Sequence, residues 1–380
     1  MYYYALDGRF CLEKASWDSG GGRINLPDDL IRTLAMFLVI LLHSANEILQ
    51  AFTPTNPLSP MPPIGFWWTA VAYKSIALVC VPLFVMLSGA LLLQPAKLNE
   101  PIRVFLKKRL SRLGLAFVFW SAVYLAWGFY LHPGVPVTLS NVWQGIIRDL
   151  FSGAYYQFWF IYLIVGLYLI TPVLRVIIAY GSDKLIRYLL ALWFVGIALV
   201  PILVLVSGIQ VNSNVFVIGG WIGYYVLGTY LQRVKIRTGI LISLLIAGFG
   251  TTMFGVWLMT YPLISLGQAN FFFDYLTINV IVGSVALFMI LMKFNRDWPG
   301  SNHPFISKVA QAISKNTLPI FLFHVIILES FERGFFGFTL NYTTLNPIIE
   351  IPSIATLTLF ITLGLVLFMR RVPVLKKLIG

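Results

Sequence analysis

Asp29-Leu30-Ile31-Arg32-Thr33-Leu34-Ala35-Met36-Phe37-Leu38-Val39-Ile40-Leu41-Leu42-His43-Ser44-Ala45-Asn46-Glu47 is an apolar run in which four ionisable residues recur at chosen places. At about 100° per residue, Asp29, His43 and Glu47 point roughly 60°, 20° and 60° away from Arg32, so all four share one narrow face of a helix. A helix of about 20 apolar residues spans the roughly 30 Å hydrocarbon layer of a bilayer. Ionisable side chains inside such a span are costly unless they face a cavity or a partner, so the stripe marks a functional passage or a polar contact. Arg32 and His43 are eleven residues apart, about three turns and 16 Å.

The rest of the chain has the same character. Of 380 residues, 59% are hydrophobic and only 11% charged, and mean hydropathy is +0.84. An ordinary soluble domain carries about 25% charged residues, so a soluble globule, a disordered chain and a disulfide scaffold are all excluded. The only cysteines are Cys11 and Cys80, one in a tail and one in an apolar run, and a shared disulfide is not expected. Ten apolar segments read as spans: Leu30 to Phe52, Trp67 to Leu93, Leu113 to Leu131, Gln157 to Ile178, Leu185 to Ser207, Phe216 to Leu231, Gly239 to Tyr261, Phe271 to Met292, Ser307 to Glu329 and Ser353 to Met369. The predicted fold is all-α and polytopic, with about ten transmembrane helices. Residues 1–28 form an N-terminal tail, 29–373 the membrane domain and 374–380 a C-terminal tail. Between spans run a proline-rich connection (Pro54, Pro57, Pro60, Pro62, Pro63) and a longer aromatic one from Leu131 to Tyr156.

The net charge of +13 would suggest nucleic acid in a soluble protein. Here it follows topology. Of the 27 basic residues, all but Arg148 and Arg333 outside the spans, and Arg32, Lys74 and Lys315 within them, fall on one side. Short basic loops stay cytoplasmic, so both termini are expected there, in a plasma membrane of bacterial inner-membrane type, with anionic lipid and not nucleic acid as the partner.

Several residues admit two readings on spacing alone. Asp29 and Arg32 suit either an interfacial i, i+3 ion pair or a ligand site. Glu47 either accepts from the His43 ring or marks the exterior boundary. The cluster Lys107-Lys108-Arg109-Leu110-Ser111-Arg112 is either a topological anchor or an anion site. His324 is either functional or a hydrogen bond between helices, and Lys74 either snorkels or lines a cavity. Tyr155, Tyr156, Phe158, Trp159 and Phe160 suit either sugar stacking or an aromatic belt. Asp274 and Glu329 read as interfacial.

Four stretches in order resemble the acyltransferase-3 family of integral membrane O-acyltransferases. They are Asp29 to Ala35 followed by Val39 to His43, with an arginine and then a histidine after ten intervening residues; Phe84-Val85-Met86-Leu87-Ser88-Gly89-Ala90-Leu91; Phe158-Trp159-Phe160-Ile161-Tyr162 leading to Tyr168-Leu169-Ile170-Thr171-Pro172; and Ser314 to His324. The resemblance covers roughly Asp29 to Arg371. It implies transfer of an acyl group, usually acetyl, from a cytoplasmic acyl-CoA to a hydroxyl of a glycan or lipid-linked saccharide. Acetyl-CoA would be a co-substrate, with no permanently bound cofactor and no metal. The resemblance also implies His43 as base, Arg32 near the donor, Arg109 and Arg112 as a pair toward the CoA, and His324 as part of the late motif. By position, Glu47 is expected to assist His43, Asp29 and Lys108 to lie toward the CoA, and His324, Lys74, Trp159 and Tyr156 on the acceptor side. A secondary transporter that uses Arg32, His43 and Glu47 as a proton relay or substrate site is the competing class, although the halves show no internal repeat.

Overall fold

The computed structural model describes residues 26–51, 63–134, 136–207, 220–260, 271–294 and 304–380. The expected N-terminal tail up to residue 25, most of the proline-rich connection and Cys11 lie outside the described residues. Among the described residues there is no strand. The helices are α1 (Leu26–Ala51), α2 (Ile64–Ala77), α3 (Cys80–Leu92), α4 (Ile102–Leu131), α5 (Leu139–Ser152), α6 (Trp159–Tyr180), α7 (Asp183–Phe194), α8 (Val200–Ser207), α9 (Gly220–Leu231), α10 (Thr238–Thr260), α11 (Ile278–Met292), α12 (Pro304–Lys315), α13 (Thr317–Glu332), α14 (Pro347–Met369) and α15 (Pro373–Leu378).

Eight of these helices or continuous helix runs are long and apolar enough to cross a membrane, and a ninth arises if α12 and α13 count as one broken span. Ten were expected. The difference is the expected span Phe216 to Leu231, whose residues 216–219 lie outside the described residues; α9 covers the 12 that follow, which rise about 18 Å. The expected ninth span, Ser307 to Glu329, is not straight, because α12 and α13 meet at 86°. Pro319 explains the elbow: it has no N–H to offer the Lys315 carbonyl four residues earlier, and α12 ends at Lys315. Pro82 acts in the same way on Leu78, and the second span breaks between α2 and α3 at that point. In α14, Pro352 frees the Ile348 carbonyl, and the Tyr73 hydroxyl donates to it from α2 at 2.8 Å.

The aromatic connection from Leu131 to Tyr156 is not a plain loop. It contains α5, N-capped by Thr138, whose side chain accepts from the Asn141 N–H at 3.2 Å. Leu139, Trp143, Ile146, Ile147, Leu150 and Phe151 are exposed on α5, while Gly145 and Asp149 are buried, a distribution suited to a helix lying in the membrane interface.

Where α3 meets α9 the backbones touch. A Cβ on Gly89 would run into the Tyr225 carbonyl, and one on Gly228 into the Met86 carbonyl. Thr229 Oγ1 donates to the Gly89 carbonyl at 2.8 Å across the same seam. Small residues are favoured at intramembrane interfaces because lipid offers no hydrophobic drive to pull helices together, and close van der Waals contact does so instead. At the α1 end that carries Arg32, the chain also returns: the Gly380 carbonyl accepts from Arg370 at 3.1 Å, and Gly380 packs against Leu318 and Ala116.

Gly89→Val should destabilise the protein by about 3 kcal/mol or more, since it overpacks against backbone that cannot yield. Gly250→Ala, where an added Cβ meets nothing within 4 Å, should leave stability unchanged or slightly raised. Thermal melting of both variants in detergent checks this contrast.

Candidate active site

The proline elbow after α12 sets one end of the site. It lays α12 against the first turns of α1, where Thr33 Oγ1 donates to the Ala310 carbonyl at 3.0 Å and Arg32 Nη1 to Ser314 Oγ at 3.5 Å. α4 contributes Lys108, Arg109 and Arg112, which follow an i, i+1, i+4 spacing and turn toward the same space. All four cations and Lys315 line one cavity of about 480 Å³, together with Ser88 and Tyr168. Arg109 Nε is buried without a hydrogen-bond partner. The positive field reaches beyond the cavity: burial first, then the Arg109 and Arg175 charges, push the Lys97 ammonium in the α3–α4 connection below the usual lysine range. Five converging cations with no carboxylate among the lining residues make a site for a polyanion.

Asp29 takes no part. It neither lines the cavity nor forms an ion pair with Arg32 among the described residues, because the Arg32 guanidinium is directed at α12. Arg175, grouped by sequence with the loop cations, is a buried structural residue. Its Nε donates to the Leu92 carbonyl at 2.8 Å, its Nη2 pairs with Glu100 at 2.9 Å, and its guanidinium lies 4.5 Å from the Phe105 ring centroid.

The far wall of the basic cavity includes Phe160 and Phe321, whose ring centroids are 5.2 Å apart. The same two residues wall a second, much smaller chamber of about 20 Å³ around His43. That volume holds about one water molecule. The His43 ring lies 4.9 Å from the Tyr156 ring and 5.4 Å from the His324 ring, centroid to centroid. His324 is fully buried, and its Nδ1 lies 2.7 Å from the Phe321 carbonyl. A carbonyl only accepts, so Nδ1 carries a proton, and in the neutral ring Nε2, which has no partner, is a lone pair in the interior. Trp159, expected on the acceptor side, is half-exposed and forms part of the chamber wall.

Two expected placements are not met. Glu47 makes no hydrogen bond to His43; its Oε2 is buried and unpartnered, and its charged neighbours are Glu350 and Glu332 at the opposite end from the basic cavity. Lys74 does not line the chamber, and its ammonium sits 4.5 Å above the Phe273 ring. Glu329, read as interfacial, is tied inward by Trp127 Nε1 at 2.7 Å and by the Tyr155 hydroxyl. Asp274 is exposed and caps its turn by accepting from the Leu276 N–H at 2.8 Å.

The residues that sequence reasoning missed are Gln157, Tyr275 and Cys80 in the His43 chamber and Ser88, Tyr168 and Lys315 in the basic cavity. Ser88, Tyr168 and Lys315 carried a signal, as each stands in one of the stretches that resemble the family, but none was singled out for the site. A lone glutamine or tyrosine at a span boundary has no pattern to find it by.

The model of the acyltransferase domain family called acyltransferase-3 matches residues 29–367. Comparison with curated proteins and with solved structures gives no significant match. Because the family match runs through every helix from α1 to α14, the chain belongs to the acyltransferase-3 family and is a multi-pass membrane acyltransferase.

Proposed function

We propose that the protein moves an acyl group, acetyl in the simplest case, from acyl-CoA to a hydroxyl of a glycan or lipid-linked saccharide at the plasma membrane, with the basic end facing the cytoplasm. The observation that carries this reading is the pair of cavities that share Phe160 and Phe321: one is lined by five cations, the other by His43. CoA carries several phosphate charges that cannot enter lipid. Arg32, Lys108, Arg109, Arg112 and Lys315 would hold those phosphates through charge-assisted hydrogen bonds, while the uncharged pantetheine arm reaches inward.

The 16 Å between Arg32 and His43, on one uninterrupted helix, divides their work. Arg32 holds the donor, and His43 meets the acceptor. A hydroxyl is a poor nucleophile until its proton is removed, and an imidazole is suited to that task near neutral pH. The hydroxyl oxygen attacks the thioester carbonyl as His43 takes the proton. Collapse of the tetrahedral intermediate breaks the C–S bond, and the CoA thiolate recovers that proton. The His324 ring, 5.4 Å from His43 centroid to centroid, is a second imidazole beside the imidazolium formed between these steps. Tyr156 and Trp159, both partly exposed at the chamber, offer ring faces on which a sugar would stack.

His43→Ala should lower acyl transfer by about 10²- to 10⁴-fold without changing the melting temperature, measured as CoA thiol release in lipid nanodiscs with crude envelope glycan as acceptor. Full activity in the folded variant would remove His43 from the role of base. Wild-type protein with neither turnover nor CoA binding would return the transporter reading and call for flux assays.

Arg109→Glu with Arg112→Glu should weaken CoA binding at least tenfold at low salt, and by a smaller factor at high salt as screening shortens the reach of the lost charges. Isothermal titration across an ionic-strength series checks it. Unchanged affinity would leave these arginines as topological anchors.

A further inference from the structure

Attack on a thioester turns its carbonyl oxygen into an oxyanion, and that charge needs a donor within hydrogen-bond reach. No cation lines the His43 chamber, and Arg32 is about 16 Å away along α1. The donor must therefore be a neutral group of the chamber wall. Its polar side chains other than His43 are Gln157, Tyr275, Cys80 and the indole of Trp159. Tyr275 and the Cys80 thiol are engaged with each other. Trp159 is 39% exposed, whereas Gln157 is 1% exposed, and neither its Nε2 nor its Oε1 has a hydrogen-bond partner. The Tyr124 hydroxyl donates to the Leu322 carbonyl at 2.7 Å, and its oxygen stands close to the Gln157 amide without a hydrogen bond of full geometry between them, so at least one of the two amide N–H bonds is left for a ligand.

A buried amide left unpartnered is unfavourable and rare in folded proteins. Gln157 is held in this position from both sides. It lies in the one-turn 3-10 helix Tyr156–Phe158, preceded by Gly153 with φ of +89° and followed directly by α6. Phe158 beside it is fully buried against the Tyr124 and Phe117 rings, and Tyr156 on its other side packs on His43. The turn is thus clamped, and the amide it carries is shielded from water.

We propose that Gln157 Nε2 is the donor that receives the thioester carbonyl oxygen. This assignment rests on the acyl-transfer reading above. As the acceptor hydroxyl forms the new C–O bond and His43 takes its proton, the carbonyl π pair moves onto oxygen and the Gln157 N–H shortens its hydrogen bond to it. When the C=O bond re-forms, the C–S bond breaks and the thiolate takes the proton from His43. The amide itself gains and loses nothing. Before binding, the 20 Å³ chamber holds at most a water in the carbonyl's place, so the Phe160–Phe321 pair parts for the thioester to enter.

Gln157→Met keeps the length and removes the donor; Gln157→Glu keeps the shape and replaces the donor by an acceptor. Both should lower kcat about 10²- to 10³-fold, with KM for acyl-CoA and for the acceptor changed less than about twofold. Acceptor-free hydrolysis of the thioester, in which water replaces the hydroxyl, should fall in parallel, because the oxyanion is the same. Unchanged kcat in a folded variant, a rise in acceptor KM alone, or loss of transfer with hydrolysis intact would each overturn the assignment. A test on wild type needs no variant to fold: the ¹³C-labelled carbonyl stretch of acetyl-CoA should move to lower frequency on binding, and an unmoved band overturns the proposal. If wild type transfers acyl groups and the Gln157 variants match it, this assignment alone fails. If wild type neither turns over nor binds CoA, the acyl-transfer reading fails and takes the assignment with it.

Discussion

A helix in hydrocarbon must satisfy its own carbonyls, because no water is present to do so, and a proline removes one donor from that internal account. In this chain, three prolines free a carbonyl inside or beside a span, and at one of them, Pro319, the described helices meet at a sharp angle. Pro319 turns the expected ninth span through 86° and so places Ser314 and Lys315 beside Arg32, with His324 fully buried one turn farther into the bundle. Pro82 breaks the second span, leaving Cys80 at the start of α3 against the His43 chamber and Ser88 two turns later in the basic cavity. Pro352 leaves the Ile348 carbonyl to the Tyr73 hydroxyl, which links α14 to α2.

The second constraint is charge. Buried cations are tolerated when something opposes them, and the buried Arg175 and the half-buried Arg109 differ in what that is. Arg175 is answered within the protein by Glu100, a backbone carbonyl and an aromatic face. Arg109 leaves a buried Nε unanswered, and around it stand four further cations with only Ser314 Oγ in contact with Arg32. A protein that satisfies Arg175 so completely has the means to satisfy Arg109 as well. The external anion proposed above would supply what Arg109 lacks.

The helix pattern and most of the donor side were legible from the chain, since apolar runs declare spans and the i, i+3 spacing of Arg109 and Arg112 puts both on one helix face. The stripe on α1 was legible only as a direction. Periodicity could place Arg32, His43 and Glu47 on the same side, but not say that Glu47 would look toward Glu350 and Glu332 or that Asp29 would stay apart. Those outcomes depend on which helices pack alongside. α5 escaped notice because its apolar face is short and sits among glycine and proline turns. Gln157 escaped because a single amide has no periodicity, and its importance comes from Tyr124, Phe158 and Leu322, which are distant in sequence or inconspicuous beside it.

The separation of Arg32 and His43 resolves a difficulty that the motif alone creates. An arginine and a histidine on one helix face suggest a pair acting on one atom, yet eleven residues of unbroken helix hold them about 16 Å apart. A guanidinium at that distance can hold the polyanionic end of a long donor and contributes little to charge developing at its other end. In the proposed reaction the chemistry near His43 therefore falls to groups that sequence spacing did not favour: a second imidazole whose Nδ1 is engaged by the Phe321 carbonyl, and the neutral amide of Gln157. Neutral donors suit that position. A cation in a chamber with room for one water would carry the full desolvation cost at all times, whereas an amide dipole costs less while idle and is already aligned when the carbonyl oxygen becomes negative.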